Sequence, residues 1–364
     1  MSEGPSLGES YATRTEFEND YHERYGVGMT RRILAPVALG AVSVLALAGC
    51  AGGSPAASSA DSAGKVSVVA STDVYGSIAE AIGGDFVDVT SIITSPTQDP
   101  HEYEASAQDQ LTLKNAGLVI ENGAGYDAFM EGLVQASGST APVLTAVEYN
   151  HDYPGAASHD EAHADEASPA PSESADDHDH ADDDGHDHIE GFNEHVWYDP
   201  HTVEDLTAAI ATELGQLAPD HAAAFTANAE AFTKEIAGLE DSLGQIEATD
   251  AGAKIFVTEP VPLYLTTAAG LTNATPNEFS ESVEEGQDVP PATLLESLQL
   301  LDSGQISVMI VNPQTGGAEV TQVEDEAKAK NIPVVEFTET LPEGQTYLSW
   351  MQSNITALSD ALAA

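Results

Sequence analysis

The sequence predicts an α/β protein with parallel sheets, and three observations carry that expectation. Short apolar runs alternate with helical patterns, which is the order of a parallel sheet with crossover helices. These units fall into two clusters, one before residue 150 and one after residue 250. One long helical stripe lies between the clusters.

The first run, Val66 to Ala70, ends in Ser71-Thr72-Asp73 and predicts a strand entering a loop. Further strands are expected at Val87–Ile93, Leu118–Glu121, Ile255–Thr258, Val308–Val311 and Val334–Phe337. Helical patterns between them include Ser77–Ile82 and Ser106–Asn115. Pro219, with Asp220 beside it, suits the first turn of a helix. From there Phe225, Phe232, Ile236, Leu239, Leu243 and Ile246 recur at spacings of 7, 4, 3, 4 and 3, one apolar stripe over residues 219–247. Such a helix would be about 40 Å long. Periodicity alone is equally satisfied by a spine joining two lobes and by a surface helix of one lobe.

Charge narrows the class of partner. The 364 residues hold 61 acidic and 10 basic side chains, a formal net charge of −51. All four arginines precede residue 50, and six lysines are the only basic side chains beyond it. Such a surface repels nucleic acid and anionic headgroups and attracts cations. Cys50 is the single cysteine, which excludes intrachain disulfides and thiolate zinc fingers. No HExxH, Walker lysine motif or GxSxG occurs, and Asp182-Asp183-Asp184-Gly185 fails as a calcium loop because His180 and Gly191 occupy its end positions.

The N-terminal region reads as a targeting segment. Met29-Thr30-Arg31-Arg32 precedes an apolar run, Ile33 to Ala48, too short for a comfortable span and ending at Leu47-Ala48-Gly49-Cys50. Residues 1–49 are therefore expected to be a leader and lipoprotein signal peptide, with Met29 as the true start. The Leu-Ala-Gly-Cys stretch resembles a bacterial lipobox, which implies lipidation of Cys50. Residues 50–64 read as a flexible tether. Domain organisation is then expected as an N-terminal lobe over 65–200, a helical region over 201–248 and a C-terminal lobe over 249–364.

Residues 151–194 stand apart, with seven histidines, fifteen acidic residues and no lysine or arginine. That composition cannot bury enough apolar surface to fold alone, and the stretch is expected to be a disordered insertion. His159, His163, His178, His180, His186 and His188 would make it an auxiliary, weak metal-collecting loop.

Four residues form the candidate site. His101 sits in Asp99-Pro100-His101-Glu102-Tyr103, after a strand and a turn-rich stretch. His195 opens His195-Val196-Trp197-Tyr198-Asp199-Pro200. Glu259 and Glu339 each lie just past an expected strand, at the carboxyl end where open α/β sheets bind ligands. Imidazole with carboxylate suits Zn²⁺ or Mn²⁺. Trp197 and Trp350 read as packing residues.

These motifs resemble those of the metal-binding lipoproteins of zinc and manganese ABC importers, which are solute-binding receptors. The resemblance covers about residues 65–364. It also rests on Ser71-Thr72, Gly83-Gly84-Asp85, Asn122-Gly123, Pro333-Val334-Val335, and Tyr347 through Trp350-Met351. It implies two lobes, each a small parallel-type sheet flanked by helices, joined by one long rigid helix, and lobe motion confined mostly to loops. It implies a non-enzymatic, lipid-anchored, extracytoplasmic receptor, monomeric, that hands its metal to an ABC permease. It also implies one ion between the lobes, held by His101, His195, Glu259 and Glu339. The family usually has Asp at the fourth position, so Glu336 and Glu343 rival Glu339. The third position is histidine in many zinc receptors and acidic in manganese ones. Glu259 therefore favours Mn²⁺, while the histidine-rich insertion and the affinity order of divalent metals favour Zn²⁺, which is the ion expected here. Two other classes compete: a lipid-anchored metal hydrolase, which would need an open metal position, and a surface adhesin or passive metal buffer.

Overall fold

The computed structural model describes residues 64–96, 98–155, 189 and 191–364. The leader, Cys50, residues 51–63 of the tether and His159, His163, His178, His180, His186 and His188 lie outside the described residues.

The first sheet is built from β1 (Val66–Thr72), β2 (Val87–Ile93), β3 (Leu118–Glu121) and β4 (Val143–Thr145). Helices α1 (Asp73–Gly83), α2 (Ala107–Lys114) and α3 (Phe129–Ser137) make the crossovers. Its order is β2-β1-β3-β4, every pair parallel. Val68, Val69 and Ala70 are buried in succession rather than alternately, as expected of a parallel strand covered on both faces. Ser106 caps α2 in a capping box with Asp109, which places the helix start where the pattern predicts it.

After α4 (Pro200–Leu217) comes α5 (Ala222–Asp250), entered through a 3₁₀ turn at Pro219–His221. The second sheet repeats the first: β5 (Lys254–Val257), β6 (Thr272–Asn273), β7 (Ile306–Val311) and β8 (Val334–Glu336), in the order β6-β5-β7-β8, again all parallel. Around it lie α6 (Leu263–Ala268), α7 (Asn277–Glu284), α8 (Pro291–Asp302), α9 (Ala318–Ala329) and α10 (Tyr347–Leu362). Edge strands β4 and β6 are three and two residues long, and the sequence reading lacks both.

Helix α5 spans both lobes. Near its start Asn228 donates to the Ile82 carbonyl of α1 at 2.9 Å, and Phe225 meets Phe86 edge to face at 6.0 Å. Further along, Phe232 stacks on Tyr347, and the end of the helix packs on α6. Its stripe of Phe225, Phe232, Ile236, Leu239, Leu243 and Ile246 is buried throughout in one continuous apolar core. That core takes in Val68 and Ile120 of the first sheet and Val308 and Ile310 of the second. The helix is therefore a spine rather than the surface element of one lobe.

One boundary of the sequence reading is corrected. The insertion expected over 151–194 does not extend to residue 194, because Phe192 and Glu194 are buried and Phe192 packs edge to face on Tyr153 at 5.4 Å. Averaging composition over an acidic stretch concealed its last few residues, which pack at the interface between the lobes.

Candidate metal centre

Every residue of the candidate site leaves the carboxyl end of a strand or the loop that faces one. In the first lobe His101 lies in the segment after β2, its backbone N–H donating to Asp99 Oδ1 at 2.9 Å. Next to it, Asn122 and Gly123 follow β3. Gly123 has φ 87° and a Cβ there would lie 2.5 Å from the Thr145 side chain, so only glycine fits. The buried Asp127 carboxylate accepts both backbone N–H groups of this turn, at 2.6 and 2.8 Å. Asn122 in turn donates to the Glu194 carbonyl at 3.0 Å and accepts from the Tyr75 hydroxyl, which holds the segment bearing His195 against the first sheet.

The same segment is tied to the second lobe. Asn193 donates to the Pro260 carbonyl at 3.0 Å and its own carbonyl accepts from Tyr264 at 2.8 Å. Tyr198 donates to the Thr338 carbonyl at 2.7 Å, and Tyr347 donates to the Trp197 carbonyl at 2.9 Å. His195 is buried against Trp197 and Tyr126. Its Nδ1 lies 2.7 Å from Asn193 Oδ1, an oxygen that accepts only. Nδ1 therefore carries the proton, and Nε2 is the nitrogen a metal would meet, the usual tautomer logic of a ligating histidine.

In the second lobe Glu259 follows β5, Asn312 follows β7 and Glu339 follows β8. The Asn312 side-chain amide donates one hydrogen to Glu259 Oε2 and the other to Glu339 Oε1, both at 2.6 Å. Thr315 donates to the second oxygen of Glu259, and the Glu339 backbone N–H donates to Gln314 at 2.6 Å. Glu339 Oε2 is buried without a hydrogen-bond partner.

His101, His195 and Glu339 each offer a ligand atom, and those atoms all lie within 4.8 Å of one another. Glu259 is not in this group; it reaches the cluster through Asn312. The rivals Glu336 and Glu343 are exposed, whereas Glu339 is 2% exposed, so geometry prefers Glu339. Two acidic residues that the sequence reading missed also converge here. Glu194 is buried beside His195, and Glu284, the last residue of α7, brings its Oε1 to 3.7 Å from His195 Nδ1. Glu194 is signalled only by its adjacency to His195, and Glu284 by nothing but a common Glu-Glu-Gly helix end.

The electrostatics are one-sided. Burial pushes the Glu339 carboxyl well above the carboxylate range, and the facing Glu259 and Asp99 add to the shift. Burial raises Glu259 to about 7, partly offset by the bonds from Thr315 and Asn312. Glu284 is raised to about 10 by burial, then by Glu194, Glu259 and Glu339. No lysine or arginine is buried among the described residues. The charge that neutralises these carboxylates must therefore be protons or a bound cation. Two imidazoles with facing carboxylates form a donor set for a divalent transition metal.

Comparison with known proteins is in accord with this chemistry. The family model described as ZnuA, zinc-uptake complex component A periplasmic, matches residues 68–361. The chain belongs to the ZnuA family. As a ZnuA-family member it is the substrate-binding protein of a metal ABC importer, working with a permease and an ATPase, and is not an enzyme. Among curated relatives, the manganese ABC transporter substrate-binding lipoprotein PsaA of Streptococcus mitis is 26% identical over 342 residues, covering 88% of this chain and 96% of that protein. The iron ABC transporter substrate-binding lipoprotein MtsA of Streptococcus pyogenes serotype M1 is 25% identical over 319 residues, covering 82% and 89%. A mutant of the laminin-binding adhesin of Streptococcus agalactiae superposes with a TM-score of 0.62 at 21% identity, over 82% of this chain and 99% of that one. This likeness shows the two-lobed fold. The chain's relatives are thus named for different metals, and its own cargo is a divalent metal ion.

Proposed function

We propose that the chain captures Zn²⁺ between its lobes through His101, His195, Glu259 and Glu339 and delivers it to a membrane permease. The observation that carries this reading is the convergence of His101, His195 and Glu339 ligand atoms within 4.8 Å at the carboxyl ends of both sheets. Glu259 supplies the fourth ligand by exchanging its bond from Thr315 for the metal. Two neutral imidazoles and two carboxylates cancel a divalent charge, so the loaded site is tolerable when buried. Four protein ligands leave no vacancy for a hydrolytic water. The affinity order of divalent ions and the histidine-rich stretch favour zinc.

Mn²⁺ is the second reading, favoured by the number of carboxylates around the site, since hard oxygen donors suit it. The chain is further proposed to be extracytoplasmic and anchored through lipidated Cys50, in keeping with its lipobox and with relatives named as lipoproteins. X-ray absorption at the zinc edge tests the ligand set. The loaded protein is expected to show two imidazoles and an oxygen-rich remainder, with one imidazole lost in His101→Ala. Three or more imidazoles, unchanged by that substitution, would assign the tight ion to the histidine-rich stretch instead.

A further inference from the structure

Beyond the four residues assigned above, His101 belongs to a second constellation. Ligand atoms of His101, Glu194 and Glu284 also lie within 4.8 Å of one another. These residues come from three separated parts of the chain: the segment after β2, the segment preceding His195, and the end of α7. Glu194 is 3% exposed and the Glu284 side chain 12%, and Glu284 Oε1 is buried without a hydrogen-bond partner. A cavity of about 980 Å³ opens onto this side of the site. It is lined by His101 and Glu284 together with Asp99, Glu102, Glu285 and Gln314, whereas His195, Glu259 and Glu339 do not line it. The second constellation therefore has two members facing the open cleft, and the first has one.

We propose that His101, Glu194 and Glu284 form a second divalent-cation station at the mouth of the cleft, occupied before the ion passes to His195 and Glu339. The proposal rests on the functional reading above. One imidazole and two carboxylates make a nitrogen–oxygen donor set for a first-row divalent ion. They leave the remaining positions to water, which suits an ion still shedding its hydration shell. His101 is common to both stations. It can keep its hold on the ion while the other two donors are exchanged, so complete dehydration is never required in one step. Sharing His101 also makes the stations alternatives, so the cleft holds one ion at a time. Glu284 lines the cavity, and its position 3.7 Å from His195 Nδ1 sets the two stations side by side.

Equilibrium titration of the full chain with Mn²⁺, read by electron paramagnetic resonance of the free ion, separates the stations. Residues outside the cleft are the same in every variant and cancel in the differences. The wild type is expected to bind one cleft ion tightly. His195→Ala is expected to lose that affinity but keep one weaker ion, held by the second station. Adding Glu284→Gln or Glu194→Gln to His195→Ala should weaken the residual ion at least about tenfold. Adding Glu281→Gln, the same substitution at an exposed position on the same helix, should leave the residual ion in place. A thermal melt of each variant confirms that it is folded. The proposal is overturned if His195→Ala retains no cleft ion, or if its residual ion is indifferent to both glutamine substitutions. A wild type with no tight ion sensitive to His195→Ala, for Mn²⁺ here and for Zn²⁺ in a parallel chelator competition, would instead overturn the functional reading itself.

Discussion

Asn312 is the residue whose replacement tests the geometry of the metal centre most sharply, because it would touch no metal. Its side chain spends both amide hydrogens on Glu259 and Glu339, at 2.6 Å each, and is 4% exposed. Hydrogen bonds to charged groups contribute about 1.5–3 kcal/mol apiece. Removing a partner that orients ligating carboxylates typically lowers metal affinity about 10–100-fold. Asn312→Leu keeps the approximate volume and the backbone bond from Asn312 N–H to Thr258 while deleting both donors and the Oδ1 that accepts from the Gln314 N–H at 3.0 Å, an acceptor that Asn312→Asp retains. It should weaken Zn²⁺ and Mn²⁺ binding by about 10–100-fold, or about 1.4–2.7 kcal/mol. Asn312→Asp sets a third carboxyl against the other two and should weaken binding further. Chelator-competition titration measures both variants, with near-ultraviolet circular dichroism to confirm the fold. Affinity within threefold of wild type in Asn312→Leu would refute the claim that this amide orders the two carboxylates.

The remaining predictions concern protons and packing. Glu259 and Glu339 hold their protons well above the usual carboxylate range, so metal capture must displace protons. Affinity should rise by more than about tenfold between pH 6 and 7, since both carboxyls give up a proton to the metal, and calorimetric enthalpies should vary with the buffer's ionisation enthalpy; enthalpies independent of buffer would contradict this. Burial raises Asp73 to about 6 and Glu121 to about 7. Their folded pKa values exceed the unfolded ones, so the stability they contribute is complete below about pH 4 and is lost as pH rises through 6 to 7. The metal-free protein should therefore melt at a higher temperature at pH 5 than at pH 8, and the reverse order would contradict the sign. Phe232→Ala, which empties the contact of α5 with Tyr347, should cost about 3–5 kcal/mol and shift a single melting transition, since one core serves both lobes; two separated transitions would contradict a shared core.

What could be read from the sequence depended on whether the signal was local. The α5 stripe was legible because burial along one helix repeats with the helix period, and the inner strands because both faces are covered. His101 and His195 were legible because the turns that present them carry their own prolines, aspartates and aromatics: Asp99 caps the His101 turn, and Asp199 accepts from the His201 N–H at the start of α4. Glu339 stood out by following a strand. Glu259 did too, yet it meets the cluster only through Asn312. Asn312, Glu194 and Glu284 were not legible as site residues because each acquires its place from residues distant in the chain: Asn312 from Glu259 and Glu339, Glu194 from Asn122, and Glu284 from a helix end 89 residues beyond His195. The order of a linear motif carries no trace of such juxtapositions. The end of the acidic stretch was misplaced for a related reason, since Phe192 is buried by Tyr153, some forty residues earlier in the chain.

The central claim is that one divalent ion is held between the lobes by His195 and its neighbours, independently of the histidine-rich stretch. Competitive Zn²⁺ and Mn²⁺ titration of the chain with residues 156–188 deleted tests it most directly. One tightly bound ion per chain is expected, with affinity equal to that of the full chain and lost in both His195→Ala and Glu339→Gln. Tight binding that disappears with the deletion, or survives His195→Ala undiminished, would contradict it.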